Sequence, residues 1–213
     1  MLDEKVANIW LNWWAKISGC CFSTEQYAIT WFDTMAHKPK CWIADTSFFK
    51  RLTPKQQYDY ASVRRWTKQI AVYELDRLIF PVLIETIPHF LVVVLNTKAM
   101  FVEVYDSMKS KNNSVPLHAD KLILRWFADE VLDKGKKYID VSRWPVFHQD
   151  VPQQQNGLDC GIFMLLFAAS ASVSMRPKFQ FTQKSIPDIR KWITYCAYMC
   201  SEDCDFWNHS FFG

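Results

Sequence analysis

The segment Pro152-Gln153-Gln154-Gln155-Asn156-Gly157-Leu158-Asp159-Cys160-Gly161 runs directly into the apolar sequence Ile162-Phe163-Met164-Leu165-Leu166-Phe167. A polar, glycine-containing loop thus delivers a cysteine to the first turn of a buried helix, expected over Cys160 to Val173. The unpaired N–H groups and partial positive charge of a helix N-terminus favour a thiolate over a thiol. Gly157 and Gly161 flank Leu158-Asp159-Cys160 and leave room for backbone to approach a substrate carbonyl. Gln154 and Asn156 add amide donors of the kind that hold a developing oxyanion. The plainer alternative is a structural cysteine at a helix start, since free cysteine is among the most buried residue types.

The remainder of the chain supplies what a thiol nucleophile needs. Such chemistry requires an imidazole to activate the sulfur and protonate the leaving group, and a third group to orient the imidazole. Of five histidines, His89 opens the apolar run Phe90-Leu91-Val92-Val93-Val94-Leu95. Asp106 closes the alternating run Met100 to Tyr105, with a turn at Asn96-Thr97-Lys98 between the two. In an antiparallel hairpin these positions fall at the same end, where a His–carboxylate contact is natural. His148, close in sequence to the cysteine loop, is the second candidate for the base. His118 is expected in solvent.

Composition narrows the class. The chain has 213 residues, 50% hydrophobic and 16% aromatic, with a formal net charge of +3. That suits one globular domain over residues 1–213 and gives no electrostatic case for nucleic acid or an acidic membrane. The longest apolar stretch is strand-sized, and the opening Met1-Leu2-Asp3-Glu4-Lys5 does not resemble a signal peptide. Seven cysteines, an odd number in no framework spacing, suggest thiols in a reducing compartment, cytoplasm or nucleus. The Asn112-Asn113-Ser114 and Asn208-His209-Ser210 acceptor patterns therefore carry little weight. Cys196, Cys200 and Cys204 with His209 could suggest a metal, but structural zinc sites use closer pairs, so neither metal nor cofactor is expected.

Further elements follow from periodicity. Amphipathic helices are expected over Leu2–Ile17, ending near Gly19, and over Ala119–Leu132, and a last helix over Ser185–Cys200. The Trp10-Trp13-Trp14 group belongs to the core. Shorter helices are expected at Thr46–Leu52 and Tyr58–Thr67, and strands at Leu78–Ile84, Phe90–Leu95, Met100–Tyr105 and Val141–Phe147. Cys41-Trp42-Ile43-Ala44 is a short apolar piece and Ser107–Pro116 a polar loop. The sum is an α+β fold.

These residues also carry a resemblance. Leu2-Asp3-Glu4-Lys5-Val6-Ala7-Asn8, Thr46-Ser47-Phe48-Phe49, Val63-Arg64-Arg65-Trp66-Thr67-Lys68, Leu78-Ile79-Phe80-Pro81-Val82, Tyr105-Asp106-Ser107-Met108 and the cysteine loop occur in one order. In that order they resemble the ubiquitin-like-protein proteases, the SUMO- or sentrin-specific (Ulp/SENP) cysteine peptidases. The resemblance implies a papain-like domain, with a central mixed sheet flanked by helices and the nucleophile at a helix N-terminus. It places the nucleophile on Cys160, the base on His89, the orienting acid on Asp106 and the oxyanion glutamine on Gln154. Phe90, Arg65, Trp66, Gly157 and Asp159 are implied to contact substrate, which would be SUMO or another ubiquitin-like modifier cleaved after its diglycine terminus by a monomer. Two positions depart from the pattern. Phe90 and Met1 stand where the family has the tryptophans that wall the diglycine tunnel. A deubiquitinase, a deneddylase or an acyltransferase would keep the same cysteine and histidine, and a non-cleaving modifier-binding module would keep the fold alone.

Overall fold

The computed structural model describes residues 2–18, 21–22, 39–109 and 115–199. Its centre is one six-stranded sheet whose spatial order follows the chain: β1 (Cys21–Phe22), β2 (Cys41–Ile43), β3 (Arg77–Ile84), β4 (His89–Asn96), β5 (Phe101–Tyr105) and β6 (Val146–His148). The pairs β3–β4 and β4–β5 are antiparallel, and β1–β2, β2–β3 and β5–β6 are parallel, so the sheet is mixed.

β4 reads as an unbroken apolar run because both its faces are covered. Phe90, Val92 and Val94 point into one core with Trp10, Leu11, Trp14, Phe163 and Phe167. Leu91, Val93 and Leu95 point into the other, around Trp42, Phe48, Phe80 and Trp126. The first core is roofed by helices α1 (Glu4–Ser18), α4 (Cys160–Val173) and α5 (Ile186–Met199). The second is filled by α2 (Phe48–Leu52) and α3 (Ala119–Asp133), where Trp42 stacks on Trp126 with ring centroids 5.8 Å apart.

Pro81 sits inside β3 without breaking the sheet. Ile79 turns its carbonyl towards the β2 side, to the N–H of Ala44, so Pro81, two residues on, also faces that side. β2 has ended there, and the missing N–H removes no ladder bond.

Expected helices and strands are found with ends shifted by one or two residues, as caps dictate. Asp3 accepts from the Lys5 N–H at 2.7 Å and starts α1, and a capping box on Thr182 and Ser185 leads into α5. Two expectations are corrected. Tyr58–Thr67 is not a helix but a 3-10 turn at Tyr60–Ser62 followed by further turns. Side-chain tethers onto α3 hold it so: Tyr58 to Asp129, and Tyr60 and Thr67 to Glu130. The strand expected from Val141 begins only at Val146. Asp140 caps a 3-10 turn at Val141–Arg143, and Pro145 has no N–H to pair. Met1, Gly19, both glycosylation patterns, Cys200, Cys204 and His209 lie outside the described residues.

Candidate active site

Both ends of the candidate site are set by backbone register. Val92 lies opposite Tyr105 in the β4–β5 pair, so one further step puts Asp106 opposite Leu91, two residues from His89 on the same side of the hairpin. Diagonal neighbours of this kind are within reach of long side chains, and His89 Nε2 lies 2.6 Å from Asp106 Oδ1. That leaves Nδ1 as the ring nitrogen for the Cys160 thiol, with which His89 shares a hydrogen bond. His89 is 3% and Cys160 1% exposed, so the pair is nearly dry.

Electrostatics follow from this geometry. Burial opposes a charge on His89, but hydrogen bonds to Asp106 and Cys160, with the negative charge of each, outweigh it and raise the ring from 6.5 to about 9. Burial likewise opposes a thiolate. The hydrogen bond from His89, the Phe90 backbone N–H, the imidazolium charge and the Gly161 N–H together hold the thiol below its ordinary 9.0. Each group thus favours the charged form of the other, the imidazolium lowering the thiol and the thiolate raising the ring.

The loop before Cys160 is bolted to the segment after β5. The Gln154 N–H donates to the Ser107 carbonyl at 2.8 Å. Gln153 Nε2 donates to the Asp106 and Val151 carbonyls, and its Oε1 accepts from the Lys109 N–H at 3.0 Å. Gln154 Oε1 accepts from the Ser107 hydroxyl at 2.7 Å, and Gln154 Nε2 donates to the Asn156 carbonyl. Cys160, His89, Asp106 and Gln154 are thus assembled in one place, as the sequence suggests.

Other expected site residues are placed differently. Asp159 is 7% exposed, and its carboxylate is filled by Asn156 Nδ2 and Gln183 Nε2, each at 2.7 Å, and by Arg190 of α5. It anchors the helix start instead of facing substrate. Asn156 shapes the turn into α4, its Oδ1 accepting from the Leu158 and Asp159 N–H groups while its Nδ2 donates to Asp159 Oδ2. The Phe90 side chain is 2% exposed in the core, and this residue meets Cys160 through its backbone. Gly157 has open space around it. Gly161 does not, because a Cβ there would stand 2.7 Å from Leu2 Cβ, so its small size serves helix packing, not substrate. Arg65 is exposed and Trp66 half-buried against Phe48, at the margin of the second core. Arg64, read beside them, forks onto Asp133 at the end of α3, at 2.7 and 3.0 Å. His148 ends β6 opposite Val104, and His89, not His148, carries the hydrogen bond to Cys160. His118 is exposed.

Ser107, Gln153, Gln183 and Arg190 were not identified from sequence as site residues. Ser107 and Gln153 stood inside quoted motifs, so their place beside Asp106 and Gln154 was a usable signal. Gln183 and Arg190 had none.

The sequence profile of the Ulp1 protease family, C-terminal catalytic domain, matches residues 22–204. The chain belongs to the Ulp1 protease family. Among curated relatives of this family, it is 35% identical over 159 residues to a sentrin-specific protease of Caenorhabditis elegans, covering 74% of this chain and 21% of that protein. It is 36% identical over 157 residues to ubiquitin-like-specific protease 1A of Arabidopsis thaliana, covering 71% and 30% respectively. The chain therefore spans less than a third of the length of these two relatives. Its fold is that of the Ulp1 protease domain solved in complex with Smt3, the yeast ortholog of SUMO. That match has a TM-score of 0.66 at 19% identity, over 94% of this chain and 77% of that one. The Ulp1-like SUMO protease catalytic domain of Chaetomium thermophilum matches equally well, at 0.66 and 19%, over 97% and 75%. No helix among the described residues is long and apolar enough to cross a membrane.

Proposed function

We propose that this chain is a thiol protease domain that hydrolyses the bond after the C-terminal diglycine of SUMO or a closely related modifier. The observation that carries the reading is the Asp106–His89–Cys160 line at the N-terminus of α4, in a member of the Ulp1 protease family. The modifier is suggested by relatives named sentrin-specific and ubiquitin-like-specific proteases, and by the Ulp1 domain bound to Smt3.

Each residue then has a role. Cys160 Sγ, as thiolate, attacks the carbonyl carbon of the terminal glycine, and the electron pair of the C=O moves onto oxygen. Gln154 and backbone N–H groups at the helix start stabilise that oxyanion. Collapse breaks the C–N bond, and the proton on His89 passes to the leaving amine, a lysine ε-amino group or a peptide nitrogen. The modifier remains as a thioester on Cys160. His89, now neutral, takes a proton from water, whose oxygen attacks the thioester. The thiolate leaves, and the modifier departs with a free carboxylate. Asp106 holds the ring and stabilises its charged form throughout. Arg65 and Trp66 are proposed to contact the modifier away from the scissile bond, where an arginine beside an aromatic suits a protein interface. Every proposed catalytic group comes from one chain, so a monomer suffices, and an easily oxidised thiolate suits a reducing compartment such as the cytoplasm or nucleus.

The test is a panel of SUMO, ubiquitin and the neddylation modifier bearing C-terminal electrophilic traps, reacted with wild type and Cys160→Ala. Adduct with SUMO alone, absent in the variant, is the expected result. Adduct with ubiquitin or the neddylation modifier instead would overturn the substrate. No adduct with any of them from folded protein would overturn the protease reading and favour an acyltransferase or a binding module.

A further inference from the structure

The oxyanion donor proposed above is an amide, and an amide side chain has two ends of nearly identical shape and opposite hydrogen-bonding character. Presenting Nε2 to a developing negative charge stabilises it, whereas presenting Oε1 repels it. Something must therefore decide which end of Gln154 faces the reaction.

Two neighbours decide it. The Asn156 carbonyl can only accept, and it takes one N–H of Gln154 Nε2. At the other end Ser107, 1% exposed, donates its hydroxyl to Gln154 Oε1 at 2.7 Å, while its own carbonyl accepts the Gln154 backbone N–H at 2.8 Å. A reversed amide would set Oε1 against the Asn156 carbonyl, two acceptors face to face. Among the described residues, the second N–H of Nε2 reaches only the thioether of Met108, with Nε2 3.6 Å from Sδ. Sulfur is a weak acceptor, so an arriving oxyanion displaces it at little cost.

We infer that Ser107 is a positioning residue that holds Gln154 with its N–H end towards the reacting carbonyl. The inference rests on the reading of Gln154 as oxyanion donor. It also makes the residue directly after Asp106 serve a second catalytic group, so one short segment orients both the imidazole and the amide. Met108, next in line, donates its N–H to Asp106 Oδ1 at 2.8 Å and keeps that segment in a fixed turn.

The experiment compares kcat and KM for wild type, Ser107→Ala, Gln154→Ala and the double variant on a SUMO C-terminal fluorogenic substrate, with urea midpoints recorded for each. Ser107→Ala is expected to lower kcat on the order of tenfold, less than outright loss of an oxyanion donor, with KM unchanged. In the Gln154→Ala background the same change is expected to have no further effect on kcat. Ser107→Cys keeps the shape with a weaker donor and is expected to fall between; it also serves if the alanine variant does not fold. If Gln154→Ala is slow but Ser107→Ala and Ser107→Cys match wild type, the positioning role is overturned and the oxyanion reading survives. Equal loss from Ser107→Ala in both backgrounds overturns it in the same way. A Gln154→Ala variant as fast as wild type overturns the oxyanion reading, and the role of Ser107 with it.

Discussion

His89 Nε2 and Asp106 Oδ1 stand 2.6 Å apart, seventeen residues apart in sequence, because a tight hairpin returns β5 beside β4. That contact is a main reason why the ring stays charged despite its burial, and it sets the alkaline edge of the working range. Activity should rise with pH as the Cys160–His89 pair loses its first proton, below the ordinary thiol value of 9.0, and fall as it loses the second near pH 9. Asp106→Asn removes the carboxylate that raises the ring, so the alkaline edge moves down towards 6.5. The rate at the optimum should fall by on the order of a hundredfold or more. A pH profile of kcat/KM for both proteins reads the two effects together.

Gly161→Ala should destabilise the domain although it lies in a helix, where alanine is normally favoured. Its Cβ would meet Leu2 Cβ at 2.7 Å, next to the backbone of the segment entering α1, which cannot swing aside like a side-chain tip. Overpacking of this kind costs about 1–3 kcal/mol. Urea denaturation should show the loss, and Leu2→Gly combined with Gly161→Ala should lose less than the two single changes added together.

Arg190→Ala should loosen the helix start from a distance. Burial pushes the Asp159 carboxyl up, but hydrogen bonds from Asn156, Gln183 and Arg190 outweigh it and hold the group below 3.8. A depressed carboxylate stabilises the fold at neutral pH, and that contribution disappears as pH falls through its folded value. Without Arg190 the acid limb of the stability curve should move to higher pH. The neutral-pH loss should be about 1–2 kcal/mol, since the arginine is partly in solvent. Circular-dichroism titration of both proteins measures the displacement.

Arg77 should be the costliest charged side chain to remove. It is fully buried, pairs with Glu103, and donates to Asn96 Oδ1 and to the carbonyls of Ala171, Ser174 and Met175 at the end of α4. Arg77→Ala removes the cationic partner of the buried Glu103 carboxylate, which keeps its hydrogen bond from Asn96 Nδ2 at 2.8 Å, and takes a donor from three carbonyls; it should cost about 3–5 kcal/mol in urea unfolding. Arg77→Met with Glu103→Leu should cost less than Arg77→Ala alone, because no charge is then left buried without its partner.

The sequence made some of this legible and concealed the rest for identifiable reasons. His89, Asp106 and Cys160 could be read because each ends or begins a regular element, and apolar alternation with the turn at Asn96 fixes where those ends fall. The direction of the Asp159, Asn156 and Phe90 side chains was not legible, because position beside a catalytic residue says nothing about where a side chain points. Asp159 turns inward only because Gln183 and Arg190, 24 and 31 residues onward, come back to meet it. Gly161 was read as leaving room for a substrate carbonyl, while the close contact at its Cα comes from Leu2 near the opposite end of the chain. Tyr58–Thr67 has helical spacing, but hydroxyl tethers to Asp129 and Glu130 override it. Tertiary contacts, whether hydrogen bonds or close packing, leave no local trace in the sequence.

The separate origins of the site also give it an order of assembly. The β4–β5 hairpin closes over a short loop and is complete once residue 106 has been made, so His89 and Asp106 can meet while Cys160 is still being synthesised. α4 reaches β4 only across a much longer stretch of chain, a contact that forms late. Until then the thiol lacks the imidazole, the Phe90 N–H and the ordered helix turn that lower its pKa. A nascent or misfolded copy therefore carries an ordinary, mostly protonated sulfhydryl. The reactivity of Cys160 thus depends on α4 being docked against β4, and not on the cysteine loop alone.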